Sequence, residues 1–323
     1  MKRTIEYAVG ELTPYINWVY FFHAWGMAPK FAAVSALHDC QACRAAWVQH
    51  FPENERGQAQ EAERLIDDAR GMLVDFECAR YKVRARLGLF PAWSEGDDIV
   101  VMVNQTAAGV REVRIPFLRQ QRAAKPGEPY LCLADFVSPV RPKSCGDDVK
   151  NMPPANVLGI FATAVAHEME NAYGSDAYRH MLAQTLADRL AEAAAEKLHE
   201  DVRRNDWGYA PKEALSAQEL FSEKYQGRRP AVGYPSLPDQ SLIFLLDDIA
   251  DFEMAGISLT DSGMMMPHAA VAGLMLSHPA ARHFAVGPID EEQLEDYAKR
   301  RGKDVAYMKR FLAANLCKSG SST

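Results

Sequence analysis

The run Asp98-Ile-Val-Val-Met-Val103 follows Gly96 and an acidic pair, and Val110-Arg-Glu-Val-Arg-Ile115 comes soon after it. The first is a short, apolar, β-branched stretch; the second alternates apolar and polar side chains. Both patterns are strand signals. The connection between them is too short for a helical crossover, so the two strands run antiparallel. Tyr130–Val137, apolar with aromatic ends, and Leu158–Ala166, continuously apolar, read as further strands, with Gly and Pro punctuating all of them. The expectation is one sheet, mostly antiparallel.

Helical periods flank this strand region. Between Glu53 and Cys78, apolar residues at Ala59, Ala62, Leu65, Ile66, Ala69, Met72 and Leu73 recur at spacings of three and four, which is one face of an amphipathic helix. A second long helix is expected over Asp176–Arg204, with a buried stripe of Leu182, Leu186, Leu190, Ala193, Ala194 and Leu198. At about 1.5 Å per residue it spans roughly 40 Å, enough to cross a domain. A loop-rich stretch, Asn205–Gln240, carries Pro211, Pro230, Pro235 and Pro238; loops this long inside a compact domain are usually functional. Then come a helix near Leu242–Met254, strand-like runs near Val271–Leu276 and His283–Val286, and a last helix from Asp290. Asp290 and Gln293 suit a capping box ahead of Leu294, Tyr297 and Ala298. Helices and strands mix without regular βαβ alternation, so the class is α+β.

Composition narrows the function. The 323 residues are 48% apolar and 24% charged, with a formal net charge of -7. That acidity argues against non-specific nucleic-acid binding, which needs a basic face. No run of 18 apolar residues implies a membrane span, and Met1–Gly10 has no apolar core of a signal peptide. Six scattered cysteines without a framework fit a cytoplasmic chain with reduced thiols. The small, polar tail Cys317–Thr323 is expected to be disordered. Several metal and catalytic patterns fail. Cys40 and Cys43 form a CxxC without a second ligand pair and read as small apolar residues on one helical face. His167-Glu-Met-Glu-Asn171 lacks the second histidine of a zincin, and Met264–Met266 suits core packing. No GxGxxG, P-loop or GxSxG occurs. No residue is assigned a catalytic or metal-ligating role.

Gly227-Arg-Arg-Pro-Ala-Val-Gly-Tyr-Pro235 is the richest cluster. Arginine can grip a carboxylate through two N–H groups. Gly233 allows close backbone approach, Pro230 and Pro235 stiffen the loop, and Tyr234 can stack on or hydrogen-bond a small molecule. The loop suits an anionic, partly aromatic ligand; it equally suits a rigid connector with a solvated arginine pair.

That stretch resembles the RPAPGYP motif of the reactivation domain of cobalamin-dependent methionine synthase. Other similar stretches follow in the family's order: Gly88–Ala92, Gly96–Ile99, Leu118–Gln121, Tyr130–Val137, Leu186–Glu192 running into Leu198–Glu200, Trp207–Ala210, Ser277–Pro279, Asp296–Arg300 and Asn315–Leu316. The resemblance covers about Pro14 to Leu316. It implies a lead-in over 1–13, one C-shaped α+β domain over 14–316 with a twisted antiparallel sheet and flanking helices, and a tail over 317–323. It also implies a function. Such a domain binds S-adenosylmethionine and docks on a corrinoid protein whose cobalt has slipped to the inactive cob(II) state. Flavodoxin or a similar donor supplies an electron, and the sulfonium methyl traps the reduced cobalt as methylcobalamin. Arg229 matches the arginine on the ligand carboxylate. Ala231, Gly233 and Tyr234 match the rest of that motif, and Glu192 matches the family's acidic residue, placed to hold the ammonium or balance the sulfonium.

Three departures bear on the site. The family's Asp near the start is Asn17, which keeps an acceptor but loses a charge. Its Tyr-Tyr pair is His283-Phe284. Its Pro-x-His segment is Pro238-Asp-Gln240. Leu259–Gly273 is also less polar, with Asp261 for Glu and Ala270 and Ala272 for serines. The 323 residues contain no DxHxxG corrinoid motif, so cobalamin is expected only through a partner in trans: a corrinoid-binding protein or a methionine synthase subunit. The alternative is a non-catalytic corrinoid-protein docking module that has lost S-adenosylmethionine binding.

Overall fold

The computed structural model describes residues 1–38, 40–105, 109–123, 125–142 and 149–317; the tail expectation for 318–323 lies outside them. The strands are β1 (Lys2–Ala8), β2 (Lys82–Glu95), β3 (Asp98–Gln105), β4 (Gly109–Pro116), β5 (Val157–Val165), β6 (Ser258–Leu259), β7 (Met265–Met266) and β8 (Ala270–Met275). The helices are α1 (Val9–Leu12), α2 (Trp18–Ala24), α3 (Gln41–Gln49), α4 (Arg56–Cys78), α5 (His167–Glu170), α6 (Ala177–Asp201), α7 (Ala217–Phe221), α8 (Leu242–Ala250), α9 (Glu291–Arg301) and α10 (Val305–Leu312). The main sheet runs β4-β3-β2-β5-β8, with β1 added along β2. Every pairing is antiparallel, from Val83↔Val165 to Pro91↔Val157 in the centre and Gly159↔Met275 at the β5–β8 seam.

The sheet is covered on both faces, so β5 is buried along its whole length and β2 from Ala85 to Trp93, while Lys82–Leu87 of β2 still alternates polar and apolar residues. Val83, Ala85, Leu87 and Leu89 of β2, with Val157, Phe161 and Val165 of β5, pack on one face against α4 and α6. Phe90 and Ala92 of β2, with Leu158, Ile160, Ala162 and Ala164 of β5, pack on the other against α8. The predicted stripes of α4 and α6 are buried as expected. A smaller cluster joins α9 and α10 through Leu294, Tyr297, Met308 and Leu312. The class is α+β: an antiparallel sheet with flanking helices.

Four local expectations are corrected. Tyr130–Val137 is not a strand; its buried residues include a 3-10 turn over Leu133–Phe136. The backbone N–H of Cys132 donates to the Asp135 carboxylate (2.8 Å), and Arg119 clamps that carboxylate, so the chain turns instead of extending. His283–Val286 forms no ladder either. Val286 N–H bonds to Pro235 C=O (2.9 Å), which docks the segment on the glycine-proline loop instead. At α9, Asp290 accepts from the Gln293 N–H (2.9 Å), but the Gln293 side chain accepts from the Arg119 N–H (2.8 Å), so the capping box is half made. Cys40 is not a small apolar residue on a helical face. It caps α3, its sulfur accepting from Cys43 N–H, and Cys43 is exposed.

Among the described residues, no helix is long and apolar enough to cross a membrane, and no group of His, Cys, Asp or Glu is placed to hold a metal ion.

Candidate functional site

The arginine-proline loop is laid along the free edge of β8. Arg228 and Leu276 exchange backbone hydrogen bonds (2.9 Å each way), Leu274 N–H donates to Pro230 C=O (2.9 Å), and Val232 N–H donates to Ala272 C=O (2.9 Å). Such close approach needs Gly273: a Cβ there would lie 2.2 Å from the Pro230 carbonyl oxygen. Gly227 makes the entry, at φ +87° with no room for a Cβ beside Leu276 C=O.

The two arginines part here. Arg228 turns back to fasten the loop, donating to the Tyr225 and Gly227 carbonyls and pairing with Glu223 (3.3 Å). Arg229 turns toward α6. Its Nη2 donates to Glu196 Oε2 (3.1 Å) and its Nη1 to His199 Nδ1 (3.3 Å). Burial opposes charge on this guanidinium, but the Glu196 carboxylate outweighs it and holds the group above its ordinary range. His199 is fully buried. Burial, then the Arg203 and Arg229 charges, push its pKa well below the ordinary 6.5, so the ring is neutral. Because Nδ1 accepts from Arg229, the ring proton sits on Nε2. The Tyr225 ring packs edge-on against His199 at 5.0 Å, and Arg203 lies over Tyr225 at 4.0 Å. Arg229 is therefore held from behind by a packed layer of His199, Tyr225 and Arg203.

In front of Arg229 opens a cleft of about 750 Å³, within the roughly 300–1,000 Å³ usual for small-molecule sites. Asn17, Glu192, Arg229, Ala231, Tyr234, His283 and Phe284 all line it. Gly233 does not. It sits in the turn behind, at φ +85°, its N–H bonded to Leu237 C=O (2.9 Å), with Gln240 Oε1 where a Cβ would go. Gln240 stands behind the loop as well, donating to Gly263 C=O (2.8 Å).

Three of the sequence-predicted lining residues have local partners. Tyr234 hydroxyl donates to Glu192 (3.2 Å), and that carboxylate, with burial, raises the phenol's pKa. Asn17 caps α2 by accepting from Val19 N–H (3.1 Å). One lone pair of that oxygen is thus given to the helix, and the amide N–H₂ adds a donor beside the remaining acceptor capacity. His283 Nε2 lies 3.1 Å from Glu223, and this contact holds the Glu223 carboxyl below its usual range.

The motif reading leaves out Tyr15, Tyr20, Arg189, Glu196 and Glu223, which share the cleft, and His199 behind it. A signal for half of them is local. Arg189, Glu192, Glu196, His199 and Arg203 recur at spacings of three and four, a polar stripe beside the buried leucine stripe of α6. Counting His283 as neutral, three carboxylates (Glu192, Glu196, Glu223) against two guanidiniums (Arg189, Arg229) give the lining one net negative charge.

Comparison with known proteins gives two findings. The family described as vitamin B12 dependent methionine synthase, activation domain, matches residues 8–302. Among solved structures, a crystal structure of the MetH reactivation domain bound to AdoHcy is similar: 34% identity over 99% of this chain and 91% of that one, with a TM-score of 0.81.

Proposed function

Because this chain belongs to the family of vitamin B12-dependent methionine synthase activation domains, we propose that it binds S-adenosylmethionine in the Arg229 cleft and uses it to re-methylate a corrinoid held outside these 323 residues. The observation that carries this reading is the convergence of seven motif-derived residues from four separate segments on one cleft. The charge supports it too. S-adenosylmethionine carries a sulfonium, an ammonium and a carboxylate, net +1, against a lining of net -1. The similar reactivation domain holds AdoHcy, the compound left when S-adenosylmethionine gives up its methyl group.

In the overall reaction, one electron from flavodoxin or a similar donor takes the cob(II) corrinoid to its reduced form, and the sulfonium transfers its methyl as a cation to that cobalt. S-adenosylhomocysteine leaves as the neutral thioether. The chain's own residues bind and orient. Arg229 keeps three of its five N–H groups beyond those given to Glu196 and His199, and these receive the ligand carboxylate. Ala231, with Gly233 setting the turn behind it, supplies the backbone wall. Tyr234 and Phe284 offer aromatic faces to the adenine. Glu192 lies near the mouth, where a carboxylate offsets the sulfonium charge.

Methyl transfer needs the sulfonium carbon and the cobalt within roughly 3–3.5 Å, so the corrinoid partner must close over the mouth. Tyr20 and Tyr234 stand there 61% and 54% exposed, large for aromatic residues of a finished surface. The test is a reconstitution of this chain, a corrinoid protein in the cob(II) state, a low-potential reductant and S-adenosylmethionine, followed by visible spectroscopy. Methylcobalamin should form only with both this chain and S-adenosylmethionine present. Equal methylation without this chain refutes the reading for that partner. Faster reduction that needs no S-adenosylmethionine identifies a docking module instead.

A further inference from the structure

We propose that Glu196 recognises the amino group of the ligand, a reading that rests on S-adenosylmethionine being bound in this cleft. In an α-amino acid the ammonium nitrogen sits about 2.5 Å from the carboxyl carbon, by ordinary N–Cα and Cα–C bond lengths. Whatever reads the ammonium must therefore adjoin whatever reads the carboxylate. Glu196 does so, 3.1 Å from the Arg229 guanidinium. Glu192 lies one helical turn away, roughly 6 Å along α6, and is bonded to Tyr234. Glu223 is committed to Arg228 and His283, one oxygen each.

Glu196, unlike Glu192 and Glu223, has a carboxylate oxygen that is buried with no hydrogen-bond partner. The residue is 8% exposed and lines the cleft, its Oε2 accepts from Arg229, and its Oε1 is buried without a hydrogen-bond partner. A buried carboxylate oxygen left bare is unfavourable. The terminal carboxyl torsion of glutamate is broad and two-fold, so a small rotation brings the bare oxygen to an ammonium at the cleft floor while the other keeps Arg229. Arg229 and Glu196 together then form a zwitterion clamp: a cation for the carboxylate and an anion for the ammonium on the same Cα.

The experiment measures dissociation constants of S-adenosylhomocysteine and its desamino analogue by calorimetry, for wild type, Glu196→Gln and Glu192→Gln. Wild type should prefer the amino compound about tenfold or more, the difference expected for a charged hydrogen bond. Glu196→Gln should weaken the amino compound about tenfold and leave the desamino analogue unchanged; Glu192→Gln should keep the preference. Wild type binding both compounds equally overturns the proposal without need of a variant. So does Glu196→Gln weakening both compounds alike, which would make Glu196 only a support for Arg229, or Glu192→Gln abolishing the preference. Wild type that binds neither compound refutes the functional reading itself, a result distinct from these.

Discussion

Arg229→Ala separates the two roles of the guanidinium. In the free chain it neutralises Glu196 at 3.1 Å and donates to His199 at 3.3 Å. Truncation leaves a carboxylate buried with no cation. Removing one partner of a buried pair costs about 3–5 kcal/mol. The Glu196 side chain is still 11% exposed beside an open cleft, which places the loss at the lower end, about 3 kcal/mol, and lowers the melting temperature by several degrees. The double variant Arg229→Ala/Glu196→Ala removes the stranded charge and should recover most of that stability. Ligand binding should not recover. The bidentate carboxylate contact contributes about 2–3 kcal/mol, so S-adenosylmethionine should weaken roughly 30- to 150-fold in both variants. Calorimetric titration gives the affinities and thermal unfolding the stabilities. Wild-type affinity in either variant removes Arg229 from the ligand site, and a double variant as unstable as the single one refutes the account of the pair.

Asn17→Asp keeps the cap on Val19 N–H but turns the leftover amide donor into a charged acceptor, so S-adenosylmethionine should bind about fivefold tighter, a gain of about 1 kcal/mol; unchanged affinity by calorimetry would place the residue away from the ligand's cations. Gly273→Ala drives a Cβ into the Pro230 carbonyl, and the forced backbone shift should destabilise the chain by about 1–3 kcal/mol and weaken ligand binding by moving Arg229; a melting curve and affinity matching wild type would show that the loop does not depend on this close approach. His199 gives a pH signature. Its folded pKa lies well below the 6.5 of the unfolded chain, so the unfolded state takes up a proton that the folded state refuses. Its contribution is whole above pH 6.5 and falls as the pH drops below it, by up to about 1.4 kcal/mol per pH unit. Urea unfolding at pH 7.5 and 5.5 should show this loss in wild type and a smaller one in His199→Gln; equal slopes would mean that His199 does not titrate between the two states.

Legibility followed the range of the interactions. The stripes of α4 and α6, the strands β3, β4, β5 and β8, and the arginine-proline loop are all written in neighbouring residues, because helical and strand periods are local. β2 is the central strand, yet its alternation is confined to Lys82–Leu87; beyond that both faces are buried, and Gly88 and Pro91 interrupt the pattern. Its strand character comes from β1 and β5 on either side, one of them about 80 residues away. Tyr130–Val137 carries the burial of a strand, but a side-chain clamp from Arg119 turns it, and composition does not encode a clamp. The same division runs through the site. The motif by itself picked out Arg229, Tyr234 and their neighbours, and the polar stripe of α6 was there to be counted. Only the folded chain decided that Arg228 faces inward to its own loop while Arg229 faces the cleft, that Gly233 shapes the turn from behind, and that Asn17 gives one lone pair to a helix cap. Those outcomes depend on which backbone edge lies opposite each side chain, a matter of contacts between segments far apart in sequence, on which neighbouring residues carry no information.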